Sequence, residues 1–245
     1  MGKRQRLDLL LLERGLVDSR EESRRRILAG DVLVQDQAVT KAGSFVDIHA
    51  AIRLKPRPRY VSRGGLKLEK ALSEFAVDVT GKTALDVGAS TGGFTDCLLA
   101  HGAARVIAVD VGYGQLDWKL RNDPRVTVFE KTNIRYLEPD ALPYRADFAS
   151  IDVSFISLKL VLPRLRSLLP PRHEVIALIK PQFEVGKGKV GKGGVVRSPE
   201  EHERVMAEMR EAAMAIGYNV VGITESPLLG PKGNKEFLMY LRAGA

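Results

Sequence analysis

Cysteine is nearly absent from this 245-residue sequence, in which Cys97 stands alone. A lone thiol excludes an internal disulfide and a thiolate metal cage, and it suits a reducing compartment. Histidine is scarce as well. His49, His101, His173 and His202 are too scattered for the ligand spacing of a zinc site, so no metal is expected. Long apolar runs are also missing. The longest uncharged stretch, residues 212–224, carries glycines, an asparagine and a threonine, far short of the roughly 18 apolar residues of a membrane span. Near the start, the leucines that follow Lys3, Arg4 and Arg6 are interrupted by Asp8, Glu13 and Arg14 before a signal-peptide core forms. A cytoplasmic protein is expected.

Positive charge is in excess. The 38 Lys and Arg against 30 Asp and Glu give a net charge of +8, which points to a polyanionic partner. The excess sits at the front, where residues 1–60 carry 13 basic and 8 acidic side chains against 25 and 22 in the remaining 185. Leu7, Leu10 and Leu11 mark one face of a short helix over 6–14, which Gly15 closes. Ser19 and Glu22 have the spacing of a capping box for a second helix, rich in arginine (Arg20, Arg24, Arg25, Arg26) and stopped by Gly30. Apolar residues at 32–34, 39, 45–46 and 52–54 read as short strands joined by turns, which gives two helices and a small sheet.

Arg6-Leu7-Asp8, Gly15-Leu16, Ser19-Arg20, Gly30-Asp31-Val32-Leu33-Val34 and Lys41 resemble the RNA-binding domain named after small-subunit ribosomal protein four, over about 50 residues. Gln35-Asp36-Gln37 stands where that family often has Asn-Gly in its hairpin. Arg4, Arg6, Arg20 and Arg24 are the candidate phosphate contacts, because guanidinium forks match phosphate oxygens. As plain surface charges they would be a solvated helix face. Lys55-Pro56-Arg57-Pro58-Arg59-Tyr60 resists helix and strand alike, which puts a linker at about 55–62 between domains 1–59 and 60–245.

Beyond the linker, apolar runs of strand length alternate with helical patterns, the signature of a largely parallel sheet flanked by helices. Strands are expected at 84–87, 106–110, 126–129, 148–152, 175–179, 220–224 and 237–241. A helix before the last pair is written by Ser198, Pro199 and Glu201 at its start, the stripe Val205, Met209, Ala212 and Ile216, and Gly217 at its end. Pro163 falls inside the helix expected after the fourth strand and should kink it or delay its start.

The first strand runs into Asp86-Val87-Gly88-Ala89-Ser90-Thr91-Gly92-Gly93-Phe94, where small residues let the backbone approach a ligand. Ser90 replaces the second glycine of the dinucleotide fingerprint, which weakens a nicotinamide reading. Asp110, ending the second strand, suits the ribose hydroxyls of an adenosine cofactor, and Asn133 suits its adenine. Together with a terminal strand pair in place of another crossover, these favour S-adenosylmethionine. Without a ligand, the same residues would be a tight turn and two loop caps.

The methyl acceptor is narrowed by elimination. Carbon-five methylation of a pyrimidine needs a cysteine nucleophile, and Cys97 lies inside the helix after the glycine loop. Amino-group methylation generally uses an Asn/Asp-Pro-Pro-aromatic turn, where this chain has Asp152-Val153-Ser154-Phe155. A sugar hydroxyl needs a proton acceptor and a cluster that fixes it in line. Asp152 and Lys180 end the fourth and fifth strands at one sheet edge. An antiparallel last strand would bring Glu236 there, and Lys67 borders the apolar stripe of the preceding helix.

Here the chain resembles the FtsJ-like ribose 2′-O-methyltransferases, whose Lys-Asp-Lys-Glu tetrad matches Lys67, Asp152, Lys180 and Glu236 in the contexts Ser62-Arg63-Gly64-Gly65-Leu66-Lys67-Leu68, Ser150-Ile151-Asp152, Ile179-Lys180-Pro181-Gln182-Phe183-Glu184 and Gly233-Asn234-Lys235-Glu236-Phe237. With the N-terminal domain, the whole chain is similar to the TlyA (hemolysin A-like) family. That resemblance implies a Rossmann-like class I fold with a seven-stranded mixed sheet and an antiparallel last strand, and methylation of cytidine 2′-hydroxyls in ribosomal RNA or ribosomal subunits. It also implies that Lys180 acts as base or steers the developing oxyanion while Asp152 orients it. Arg63 and the lysines of the glycine-rich segment 186–195, Lys187, Lys189 and Lys192, are expected to clamp RNA. A non-catalytic RNA-binding factor on the same fold, or a membrane-lytic protein, would be the alternatives.

Overall fold

A computed structural model describes residues 3–56, 58–186, 190–191 and 193–244. The chain divides into two compact units, Met1–Pro58 and Arg59–Ala245, each with its own apolar core.

The first unit comprises β1 (Arg4–Arg6), α1 (Leu7–Glu13), α2 (Arg20–Leu28), β2 (Val32–Val34), β3 (Gln37–Ala38), β4 (Phe45–Asp47) and β5 (Ile52–Leu54). Leu7, Leu10 and Leu11 pack on Val17, Ile27, Val32 and Val46, as their helical spacing requires. The Ser19 hydroxyl accepts from the Glu22 amide at 3.1 Å, and the Glu22 carboxylate accepts from Asp18, one residue earlier than the capping box predicts. In place of one small sheet there are two, β1 paired with β4 and β2 lying between β3 and β5. β1 gave no sequence signal because Arg4-Gln5-Arg6 has no apolar alternation. The hairpin between β2 and β3 turns on Gln35 and Asp36, at φ 50° and 62°. Both are left-handed, as a type I′ turn demands, without the Asn-Gly that meets the demand at least strain.

The second unit holds α3 (Gly64–Glu74), β6 (Thr83–Val87), α4 (Gly93–Ala100), β7 (Arg105–Val109), α5 (Trp118–Arg121), β8 (Val126–Phe129), β9 (Phe148–Ile151), α6 (Leu158–Leu168), β10 (Glu174–Ile179), α7 (Pro181–Glu184), α8 (Pro199–Ala215), β11 (Tyr218–Glu225) and β12 (Phe237–Ala243). Its seven strands lie in the order β11-β12-β10-β9-β6-β7-β8, and β12 runs antiparallel to both neighbours. The expected mixed sheet with an antiparallel last strand is therefore present. Side chains alternate between two cores. Leu85, Val87, Ile107, Ala149 and Ile151 face α6 and α8, whereas Ala84, Val106, Phe148 and Ile176 face α3 and α4. Pro163 neither delays nor ends α6, which begins at the Ser157 cap and runs through it. One ladder donor is lost, and burial of Leu158, Val161, Leu162, Leu165 and Leu168 offsets that loss at about 2 kcal/mol per side chain.

Register places the site. Val87 pairs with Ile151 across β6 and β9, and Ile179 pairs with Phe237 across β10 and β12. Gly88, Asp152, Lys180 and Glu236 each sit one residue beyond those pairs, so they meet at a single sheet edge.

Candidate active site

The loop from β6 to α4 is built for close approach. Gly88 has φ +84°, and a Cβ there would lie 2.9 Å from the Asp152 carbonyl carbon and closer still to its oxygen. A Cβ on Gly93 would lie 2.9 Å from the Gly65 amide nitrogen and overlap the Ser62 hydroxyl. Two side-chain-free positions thus let the loop touch the end of β9 on one side and α3 on the other.

Two adjoining cavities open at this edge. The larger, about 690 Å³, is lined by Gly88, Ser90, Asp110, Asn133, Asp152 and Ser154 among others. The smaller, about 510 Å³, is lined by Arg63, Lys67, Gly93, Phe94, Lys180 and Glu236, and it shares Gly88, Ser90, Asp152 and Ser154 with the first. Both volumes suit small-molecule groups. The Asp110 carboxylate accepts from the amides of Ser90 at 2.8 Å and Gly112 at 2.6 Å, which fixes its orientation at the cavity wall. The Asn133 side-chain Oδ1 accepts from the Arg135 amide at 3.1 Å.

In the smaller cavity the four charged residues form two ion pairs, Lys67 Nζ with Glu236 Oε2 at 2.5 Å and Lys180 Nζ with Asp152 Oδ1 at 2.5 Å. Glu236 is 1% exposed and Lys180 8%. Buried pairs of this kind are weak stability devices, because desolvation consumes most of their Coulombic gain; beside a cavity they mark chemistry. Among the described residues Glu236 Oε1 has no hydrogen-bond partner. It lies where a Cβ on residue 230 would be, so Gly230 leaves room for it. Lys180 Nζ also donates to Ser154 Oγ at 2.9 Å. Two of its three directions are thereby taken, by Asp152 and Ser154. Ser154 was not singled out from the sequence, where nothing distinguishes a hydroxyl two residues past a strand-end acid from an ordinary loop serine.

Other expected residues lie elsewhere. Asp86 does not reach the cavity wall. It is fully buried beneath the loop, accepting from Thr95 Oγ1 at 2.7 Å and Ser150 Oγ at 2.8 Å. Gly92 caps α4 with its Cα turned to Leu116 and Leu120, away from both cavities. Arg63 precedes α3 at the smaller cavity. Cys97 is buried in α4, and burial pushes its thiol up to about 12, so no thiolate nucleophile forms there. In the first unit, Arg4 donates to the Phe45 carbonyl, while Arg6, Arg20 and Arg24 gather around Asp8. Lys187, Lys189 and Lys192 lie outside the described residues.

Burial, with a smaller push from the Asp152 charge, raises the Asp86 carboxyl from 3.8 to about 6 against the pull of its two hydroxyl donors. A folded-state value above the unfolded one means that stability is lost as pH climbs from about 4 through about 6. The full cost above that window is about 3 kcal/mol. Asp86→Asn keeps both hydrogen bonds with one reversed and carries no charge. In urea unfolding, variant minus wild-type stability should therefore be more positive at pH 8 than at pH 4 by about that amount. A difference independent of pH would show that Asp86 is not the titrating group.

Comparison with known proteins gives matches along both units. The family description "FtsJ-like methyltransferase" matches residues 60–243 and "S4 domain" matches residues 5–52. A candidate rRNA methyltransferase, YqxC of Bacillus subtilis, is 52% identical over 98% of this chain and 86% of its own length. The 16S/23S rRNA (cytidine-2′-O)-methyltransferase TlyA of Mycobacterium tuberculosis is 46% identical over 99% of this chain and 91% of its own. The solved structure of a candidate hemolysin from Streptococcus thermophilus superposes with a TM-score of 0.76 at 45% identity, covering 99% of this chain and 90% of that one.

Proposed function

The chain belongs to the FtsJ-like methyltransferase family and carries an S4 domain, and from that premise we propose that it methylates the 2′-hydroxyl of cytidine in ribosomal RNA with S-adenosylmethionine as donor. One observation carries the reading: two ion pairs, Lys67 with the buried Glu236 and the buried Lys180 with Asp152, line a cavity that shares a wall with the glycine loop. Bound S-adenosylmethionine supplies an electrophilic methyl group on a sulfonium centre. The residues present fit it, since the loop has no side chain at Gly88 to hold a ligand off and Asp110 offers a fixed carboxylate at the end of β7. Gly88, Ser90, Asp110 and Asn133 are the residues assigned to hold it.

The rest of the work falls to the chain's own groups. A ribose hydroxyl must lose its proton as its oxygen gains the methyl group, and Lys180 is the assigned acceptor, in which role it acts as a free amine with a lone pair toward the hydroxyl and not as the ammonium of its ion pair. Asp152 and Ser154 each take one of its N–H groups, which leaves one direction of the nitrogen for the hydroxyl. Lys67 and Glu236 line the same pocket and are assigned to hold the ribose in line. The buried, protonated Cys97 supports a sugar acceptor over carbon five of a pyrimidine. Such a substrate implies action in the cytoplasm. Among the described residues no helix is long and apolar enough to cross a membrane.

The test is product identity. Purified protein and S-adenosylmethionine are incubated with unmodified ribosomal subunits, and the digested RNA is examined by mass spectrometry. The expected product is 2′-O-methylcytidine. A base-methylated nucleoside would overturn the acceptor assignment. Tight binding of cofactor and subunits with no methyl transfer would favour a non-catalytic RNA-binding factor.

A further inference from the structure

We propose that Asp8 is the organising residue of a phosphate-binding face in the first unit, a buried anion that holds Arg6, Arg20 and Arg24 in the arrangement that grips RNA. The proposal rests on the RNA-binding reading of that unit. The Asp8 side chain is fully buried, yet the three cations around it are 36%, 50% and 58% exposed. Arg6 approaches Oδ1 through Nε and Oδ2 through Nη2, both at 2.9 Å. Arg20 meets Oδ2 through Nε at 3.2 Å, and Arg24 lies 4.0 Å from the same oxygen through its own Nε. The carboxylate is therefore covered by guanidinium groups that themselves stay 36% to 58% exposed.

Without an anion behind them these cations would separate. Arg20 and Arg24 are one helical turn apart on α2, a spacing at which like charges repel. Asp8 sits in the first turn of α1, two residues after Arg6, and its carbonyl oxygen accepts the buried Ser23 hydroxyl at 2.9 Å. One residue thus draws the start of α1 and the arginine face of α2 together. Arg6, with help from Arg20, holds the Asp8 carboxyl down to about 2, so the anion persists throughout the physiological range. Three arginines on one carboxylate leave two net positive charges, with fork donors already placed for phosphate oxygens. Such a face fits the phosphodiester groups of RNA and contacts the backbone without reading bases.

The proposal makes a prediction opposite in sign to charge counting. Asp8→Asn adds one net positive charge to a surface that binds a polyanion, and on charge alone it should tighten binding and steepen the salt dependence. If Asp8 organises the cluster, the variant instead binds roughly tenfold more weakly, with a salt slope shallower by about one phosphate contact. Asp36→Asn is the matched control. It removes an 83% exposed carboxylate paired with Arg53, away from the cluster, and should leave affinity unchanged or slightly improved.

The full-length chain would be titrated against a fluorescein-labelled RNA hairpin at several salt concentrations, with circular dichroism melts in parallel. Weakening by Asp8→Asn but not by Asp36→Asn supports the proposal. Tightening by both overturns it. Should Asp8→Asn unfold the first unit, Arg20→Lys decides. It keeps every charge but loses the fork, so the proposal expects several-fold weaker binding, and unchanged affinity overturns it. A triple variant with Arg6, Arg20 and Arg24 all changed to Gln separates the two layers of argument. If it binds the hairpin as tightly as wild type, this face does not hold RNA, and the RNA-binding reading falls together with the proposal.

Discussion

Lys180→Met should transfer methyl groups to unmodified ribosomal subunits roughly 10³-fold more slowly than wild type, within the range expected for loss of a positioned proton acceptor. Binding should barely change. Methionine keeps the length and apolar stem of lysine, so the wall of the smaller cavity is preserved, and Gly88, Ser90, Asp110 and Asn133 lie on other elements. Cofactor affinity within about threefold of wild type is the expected companion result, since an interaction made only in the transition state lowers kcat without raising KM. The size of the loss follows from the contacts. Asp152 and Ser154 hold the amine at 2.5 and 2.9 Å, so its remaining direction is set before the substrate arrives, and such preorganisation is lost in full with the amine. Single-turnover transfer of a labelled methyl group separates the step from binding. A variant within tenfold of wild type would remove Lys180 from the mechanism and turn attention to the Lys67–Glu236 pair in the same cavity wall.

The architecture was legible because two periodicities were unambiguous. Short apolar runs such as Val175–Ile179 alternated with stripes such as Val205, Met209 and Ala212, and parallel strands joined by helices must end at one edge. That rule alone brings Asp152 and Lys180 together. Adding Glu236 required the last strand to be antiparallel, which the register of Ile179 with Phe237 now displays. The choice of partners was beyond the sequence. Whether Lys67 pairs with Glu236 or Asp152 depends on the rotation of α3 against the sheet, which packing decides.

The place of Asp86 beneath the loop follows from a stricter use of strand alternation. Leu85 and Val87 face α6 and α8, so Asp86 between them must point to the α4 side, under Thr95, and not out along the edge. Asp8 was hidden for another reason. A charged residue is almost never fully buried unless it is paired, and two of its partners, Arg20 and Arg24, lie 12 and 16 residues further along on a separate helix.

Gly88→Ala should abolish methyl transfer through the backbone, without replacing any charged group. Two costs coincide at this position. The φ of +84° is left-handed, which costs an alanine about 1 kcal/mol. By itself that is tolerable, and Gly81 provides the comparison: its φ is +72° and nothing lies within 4 Å of the Cβ site. Gly81→Ala should lower stability by about 1 kcal/mol and leave activity intact. At Gly88 the added methyl also meets the carbonyl group of Asp152, whose carbon would be 2.9 Å away. A backbone carbonyl at the end of a central strand cannot rotate aside as a flexible side chain would, so either the loop lifts or Asp152 moves. Both are damaging. A lifted loop withdraws Ser90 from the Asp110 carboxylate that accepts its amide, and a displaced Asp152 releases Lys180. Cofactor affinity is expected to fall by about two orders of magnitude, with misplacement of roughly 1 Å at the reacting centre costing a further hundredfold in rate. Calorimetric titration with S-adenosylmethionine, beside a urea melt confirming that the second unit still folds, reads the two losses separately. Retained cofactor binding in a folded Gly88→Ala protein would mean that the loop is not the cofactor's cradle, whatever the tetrad does.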